Sequence, residues 1–203
     1  RRQRQMCIRD SKGTVEWGVF ESDELWLAHT LPQVQADYVL LLNLFRDQLD
    51  RCGEIDRVQD AIATALEQSP DTTLLYNADD PLCAIIAQRV SNKSVAFGVG
   101  EDMHQRQNVV ADAQMCQRCS AMFTYGYRQY GQLGTYSCPN CGFGRPDLDF
   151  AAKSVVFGDE ITFSVEETAT GKSVDLHAQR AGSYMVYNVM AAWLASHCAG
   201  VSD

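Results

Sequence analysis

Apolar positions along this chain fall into two kinds of run, and their alternation predicts most of the fold. Residues 14–20 include Val15, Trp17, Val19 and Phe20, and residues 38–43 read YVLLLN, a continuous apolar run bounded by polar residues. Runs of that kind fit strands buried on both faces of a parallel sheet. Between residues 55 and 66 the apolar side chains instead recur at helical spacing, as Ile55, Val58, Ile62, Ala65 and Leu66, and Ser69 and Pro70 close the segment. TLLYN at 73–77 predicts another strand, 81–90 a helix opened by Pro81, and 94–99 a third strand ending at glycines. Strand, helix, strand, helix, strand is the order of a right-handed parallel sheet. The expected fold class is α/β, a mostly parallel sheet flanked by helices.

The pattern breaks near residue 111 and resumes after a cysteine-rich segment. VVF, ITFSV and SVDLHA, separated by GDE and TGK, predict a small antiparallel meander, and residues 184–197 an apolar closing helix. The chain therefore divides into a lead at 1–13, a first part of the α/β domain at 14–111, an insert at 112–147 and a second part at 148–203. The lead begins RRQRQMCIRDS, which is basic, lacks apolar periodicity and resembles translated adapter text; it is read as disordered or non-native and set aside. The chain opens at a strand with no preceding element and stops just after a helix, so it is read as part of a longer polypeptide.

Composition narrows the function classes. The chain has 203 residues, 46% hydrophobic and 21% charged, as expected of a soluble globular protein. No apolar run approaches the roughly 18 residues of a membrane helix, and no signal peptide is evident, so a cytoplasmic location is expected. The net charge of −9 opposes the electrostatic attraction that drives most nucleic-acid binding, which argues against nucleic acid as a partner. Eight cysteines in a reducing compartment favour metal binding over disulfides where they fall in close pairs.

Two such pairs occur, Cys116-Gln-Arg-Cys119 and Cys138-Pro-Asn-Cys141, with eighteen residues between them. This is the spacing of a four-cysteine zinc ribbon, and Gly142 follows the second pair where the chain must reverse with positive φ. Four thiolates fill the tetrahedron, so the zinc is expected to be structural and to do no chemistry. A redox dithiol and unpaired core cysteines are the rival readings. Arg118, Arg128 and Arg145 interleave with Phe123, Tyr125, Tyr127, Tyr130 and Tyr136, a pattern that can stack bases. An insert of about thirty residues has little core of its own, so the aromatics are expected to pack around the metal or on the parent domain, with the insert contributing little to the parent core.

Acidic groups mark a possible ligand crevice. Asp47, Gln48 and Asp50 lie in NLFRDQLDRCGE at 43–54, after a predicted strand, and Glu21, Asp23 and Glu24 follow the strand predicted at 14–20. Open α/β sheets place ligands at such strand ends. Helix caps and solvated turns are the plainer reading of each. Asp79 and Asp80 are expected to cap the helix that Pro81 opens. His29, His104, His177 and His197 are too dispersed to form a ligand set. The sequence contains no G-x-x-x-x-G-K-[ST] phosphate loop, so any ATP binding by that device is expected to use an upstream segment.

FESDE, NLFRDQLDRCGE, YNADDP, GQLGTYSCPNCGFGRPD and GSYMVYNVMAAWLA, in this order, resemble the central domain of the Mur ligases. With the ribbon included, they resemble the branch that forms the ligase-like subunit of lipid II isoglutaminyl synthase. The resemblance implies a central ATPase domain, with ATP and Mg2+ used to activate the α-carboxyl of D-glutamate in lipid II as an acyl phosphate. It implies that ammonia from a GatD-type glutaminase partner then forms D-isoglutamine, and that a P-loop precedes and a C-terminal domain follows this region. By position it implies Glu21 as a magnesium ligand, Asn188 as a contact to the nucleotide and the four ribbon cysteines as zinc ligands. Two departures stand out: Gln48 replaces the histidine usual in that loop, and residues 53–69 hold no lysine for carbamylation. A zinc-ribbon adaptor that binds protein or RNA is the competing class.

Overall fold

Side chains of the central strands alternate between two cores. The computed structural model describes residues 17–44, 55–104, 113–179 and 182–201. In it β2 (Thr73–Asn77) sends Leu74 and Tyr76 to one face and Leu75 to the other. β3 (Ser94–Val99) divides in the same way, Ala96 against Phe97 and Val99. Parallel strands need both faces covered, and these are.

β1 (Tyr38–Leu41), β2, β3 and β6 (Phe150–Phe157) run parallel, with Leu40 opposite Leu75, Tyr76 opposite Ala96, and Phe97 opposite Phe150. β7 (Glu160–Glu167) and β8 (Ser173–Gln179) then add antiparallel strands, for the order β1-β2-β3-β6-β7-β8. The expected meander thus forms, and it continues the parallel sheet instead of standing apart. On β7, Ile161, Phe163 and Val165 are buried and Glu160 and Thr162 exposed, the alternation of a sheet covered on one side.

Helices cover both faces. α2 (Ile55–Glu67) buries Val58, Ile62, Ala65 and Leu66 in the first core, beside α3 (Pro81–Arg89). α4 (Tyr184–Cys198) covers the opposite face with Val186, Tyr187, Met190, Ala191 and Leu194. A further helix, α1 (Leu27–Val34), escaped the sequence reading because Pro32 lies inside it. Proline removes one backbone donor. Burial of Leu31 anchors α1 in the first core.

The strand expected at 14–20 is not found where it is described. Residues 17–20 have no regular structure, and Val19 is 98% and Phe20 71% exposed. An apolar run becomes a strand only by pairing, and none of these residues pairs with β1 or any other strand among the described residues. β1 also differs from the fully buried strand expected: Leu40 is exposed. The lead at 1–13, residues 14–16, and Asp47, Gln48, Asp50 and Cys52 of the acidic loop lie outside the described residues.

The cysteine segment makes the crossover between β3 and its parallel neighbour β6. Such a connection usually contains a helix. Here it contains the hairpin of β4 (Thr124–Tyr130) and β5 (Leu133–Ser137), flanked by the two cysteine knuckles. Its Ala113, Phe123, Tyr136 and Phe143 belong to the same core as Ile62 and Leu74. The expectation that the insert contributes little to the parent core is therefore corrected. Thirty residues cannot close a core alone, so these aromatics share the one already under the sheet.

Candidate metal centre and the carboxylates beside it

Two backbone turns of the same design aim the four thiols at one point. In the second knuckle, Gly142 adopts φ +73° and donates to Cys138 O at 3.1 Å, and Cys138 N donates to Phe143 O at 2.7 Å. In the first, Ser120 adopts φ +59° and donates to Cys116 O, and Cys116 N donates to Ala121 O, both at 2.8 Å. The glycine was legible in the sequence; its serine counterpart was not. Glycine at 120 removes a left-handed penalty of about 1–2 kcal/mol and adds unfolded-chain entropy of about 0.4–1 kcal/mol, so Ser120→Gly should gain roughly 0.5 kcal/mol. Thermal melting checks this, with a midpoint rise of about 1–2 °C expected.

The four ligand atoms lie within 4.8 Å of one another. Cys116 Sγ is 3.5 Å from Cys141 Sγ, and Cys119 Sγ is 3.4 Å from Cys138 Sγ. Four sulfurs about 2.3 Å from a tetrahedral ion are separated by roughly 3.8 Å, so the donor set fits zinc in kind and in spacing. Cys116 and Cys138 are buried, and Cys141 is exposed. Hydrogen bonds from the Asn140 side chain and the Ala121 amide lower the Cys119 thiol to about 6, favouring the thiolate that binds metal. Burial pushes Cys116 up to about 12, an opposition that a divalent cation would offset.

Beside this cluster, the turn after β2 holds two fully buried carboxylates with different tasks. Asp80 is the N-cap of α3: its Oδ1 accepts from Leu82 N at 2.9 Å, with Pro81 at the first helical position. Its Oδ2 accepts from Leu44 N at 2.9 Å and from Gln132 Nε2 at 3.5 Å, and Gln132 Nε2 also donates to Leu44 O at 2.9 Å. A ribbon side chain and a helix cap therefore grip both backbone groups of Leu44, the last described residue at the start of the acidic segment.

Asp79, expected to be a second cap, faces inward instead. It accepts from Arg145 Nη1 at 2.8 Å, Val99 N at 2.9 Å and the Tyr187 hydroxyl at 2.8 Å. Burial raises its carboxyl above the ordinary 3.8, and Arg145, the Val99 amide and Tyr187 oppose that rise. Sequence reasoning missed Gln132 and Tyr187, and met Arg145 only in a pattern that can stack bases. The available signal was that each is a polar residue inside an otherwise apolar or turn-forming motif.

Asp80 carries a pH dependence of definite sign. Burial pushes it from 3.8 up to about 6 against its hydrogen-bond donors. The folded carboxyl keeps its proton to higher pH than the unfolded one, so the stabilisation is full below 3.8 and is lost as pH rises through about 6. A shift of about two pH units corresponds to roughly 3 kcal/mol. Asp80→Asn cannot titrate, so wild-type stability relative to that variant should fall by this order between about pH 4 and about pH 7. Chemical denaturation at a series of pH values checks it; a constant difference would refute the linkage.

The structure does not gather the remaining sequence candidates. Glu21 is exposed in the irregular segment before α1, and among the described residues it makes no hydrogen bond or ion pair. The strand that was to aim it is absent there. Asn188 lies in the second turn of α4, half-buried, with its Nδ2 3.9 Å from Met185 Sδ, a weak contact that leaves its amide available. Among the described residues no histidine joins the cysteine cluster, and no helix is long and apolar enough to cross a membrane. His197 instead stacks on Trp193, and His104 pairs with Asp102.

A mostly parallel α/β sheet with a cysteine-rich crossover is the architecture on which the comparisons bear. The chain matches the family model of the Mur ligase middle domain over residues 4–196. It is 30% identical over 191 residues to the lipid II isoglutaminyl synthase (glutamine-hydrolyzing) subunit MurT of Streptococcus pneumoniae, covering 92% of this chain and 41% of that protein. It is 27% identical over 197 residues to the corresponding MurT subunit of Staphylococcus aureus strain COL, covering 97% of this chain and 43% of that protein. The chain belongs to the Mur ligase family, as its middle domain. It spans about two-fifths of the length of these curated relatives.

Proposed function

We propose that this chain is the central, nucleotide-using part of a MurT-type subunit that amidates the α-carboxyl of D-glutamate in lipid II. The observation that carries the proposal is the likeness to MurT subunits along 92–97% of the chain, a span that includes the cysteine crossover. A carboxylate is a poor electrophile. ATP converts it to an acyl phosphate, and the ammonia lone pair then attacks the acyl carbon. The C–N bond forms as the C–O bond to phosphate breaks, and inorganic phosphate leaves.

Ammonia comes from glutamine through a GatD-type glutaminase partner, and the reaction runs in the cytoplasm, with lipid II presented at the inner membrane face. In this reading Glu21 supplies a carboxylate for Mg2+, which offsets charge on the transferred phosphoryl group, and the Asn188 amide contacts the nucleotide. Cys116, Cys119, Cys138 and Cys141 hold one Zn2+ whose tetrahedron is filled, so the ribbon's contribution is structural. The phosphate loop and the groups that steer ammonia come from parts of the polypeptide on either side of this domain.

The test is reconstitution of the full-length subunit with a glutaminase, ATP, Mg2+, glutamine and lipid II. Mass spectrometry should show conversion of the carboxylate to the amide, coupled to ATP hydrolysis. Unchanged lipid II in the presence of an active glutaminase would refute the assignment. Metal analysis of purified protein should give one zinc per chain, and a ratio near zero would overturn the metal centre.

A further inference from the structure

One buried carboxylate joins three elements that are far apart in the chain. Asp79 follows β2, Arg145 closes the ribbon behind the second knuckle, and Tyr187 lies on the first turn of α4. Arg145 Nη1 donates to Asp79 Oδ1 at 2.8 Å and to Val99 O at 3.0 Å. The Tyr187 hydroxyl donates to Asp79 Oδ2 at 2.8 Å, and Val99 N to the same oxygen at 2.9 Å. Asp79 is fully buried and Tyr187 is 1% exposed. The space is shaped to the carboxylate: a Cβ on Gly98 would stand 2.5 Å from Asp79 Oδ1, so no larger residue fits under it. Strictly hydrogen-bonded charge in so dry a place is directional, which apolar packing is not.

The two ends of this bridge differ in what holds them. On the ribbon side, Arg145 N donates to Tyr136 O at 3.0 Å, and the chain between Tyr136 and Arg145 is the second knuckle itself, with Cys138 and Cys141. Opening that knuckle releases Arg145. On the helix side, Val186, Met190, Ala191 and Leu194 pack in the second core through apolar contacts, which lack the directionality of a hydrogen bond. The far end of α4 is pinned separately, by the Tyr38 hydroxyl donating to Cys198 O at 2.6 Å. The Tyr187 end of the helix is tied to the ribbon through Asp79 and Arg145, and Tyr130 of the hairpin meets Tyr184 there with ring centroids 6.5 Å apart; Asn188 follows Tyr187.

We propose that Asp79, Arg145 and Tyr187 are positioning residues through which the metal-held ribbon fixes the first turns of α4, and with them Asn188. The functional consequence rests on the reading of Asn188 as a nucleotide contact; the mechanical coupling does not. Metal bound in the ribbon would hold Arg145 in place, Arg145 donates to Asp79, and Asp79 orients Tyr187. By linkage, anything that favours the docked α4 also favours the closed ribbon.

Hydrogen exchange in the first half of α4 tests the coupling, with the protein zinc-loaded or treated with a chelator, and with β8 amides as internal reference. In the wild type, chelation should speed exchange there about fivefold or more relative to β8. In Tyr187→Phe, which keeps the ring and removes only the hydroxyl, exchange in α4 should respond to chelation no more than β8 does. No zinc-dependent change in the wild type, or an equal change in Tyr187→Phe, overturns the proposal. Binding of a non-hydrolysable ATP analogue to the full-length protein separates the two readings. If the exchange coupling is seen and Asn188→Ala leaves nucleotide affinity unchanged, the role of Asn188 fails and the bridge stands.

Discussion

Cys138→Ser should lower the thermal midpoint of the whole domain in a single transition. Cys138 is buried, and its amide closes the second knuckle against Phe143. Phe123, Tyr136 and Phe143 pack edge-on and tilted against one another with ring centroids 5.2–6.0 Å apart, in the core that also holds Ile62, Leu66 and Leu74. A ribbon that loses its metal loses the tie that orders these rings. Exposing two of them forfeits roughly 1.5–3 kcal/mol each. A net loss of roughly 3 kcal/mol lowers the midpoint of a domain this size by about 6–12 °C. The shift should be reproduced in the wild type by a chelator and reversed by zinc. A main transition left in place, with the ribbon melting separately below it, would show that the sheet folds independently of the ribbon.

The same continuity explains what was legible in the sequence. Regular elements were readable where burial imposes a period: Val58, Ile62, Ala65 and Leu66 at helical spacing, TLLYN as a strand, and Pro81 opening a helix each carry their own local cause. The chemistry of the cysteines was readable because two thiolates per tight turn is a local requirement. The failures are non-local. Val15 to Phe20 has the composition of a strand, yet where described it has no partner strand, and composition cannot supply one. Asp79 and Asp80 are adjacent acids before a proline and read alike, but only Asp80 falls at the N-cap. Asp79 lies one residue earlier, on the side that faces Arg145, sixty-six residues away in the chain, and Tyr187, one hundred and eight away. No spacing rule links three such positions; the ribbon's return to β6 does, by placing Arg145 over the ends of β2 and β3.

That pairing sets the second large effect. Arg145→Met keeps most of the side-chain volume and removes the cation, which among the described residues leaves buried Asp79 with the Val99 amide and the Tyr187 hydroxyl as donors. Removing one partner of a buried ion pair costs roughly 3–5 kcal/mol, because the remaining charge is neither solvated nor neutralised. The loss should be largest near neutral pH and shrink on acidification, since burial already raises the Asp79 carboxyl above 3.8 and a protonated Asp79 needs no cation. Adding Asp79→Asn to Arg145→Met should therefore recover more than half of the lost stability, although Asp79→Asn alone destabilises by stranding Arg145. Denaturant unfolding of the wild type, both single variants and the double variant measures this directly as a double-mutant cycle. If the two losses simply add, Asp79 and Arg145 act independently, and the carboxylate is not the hinge on which ribbon, sheet and α4 meet.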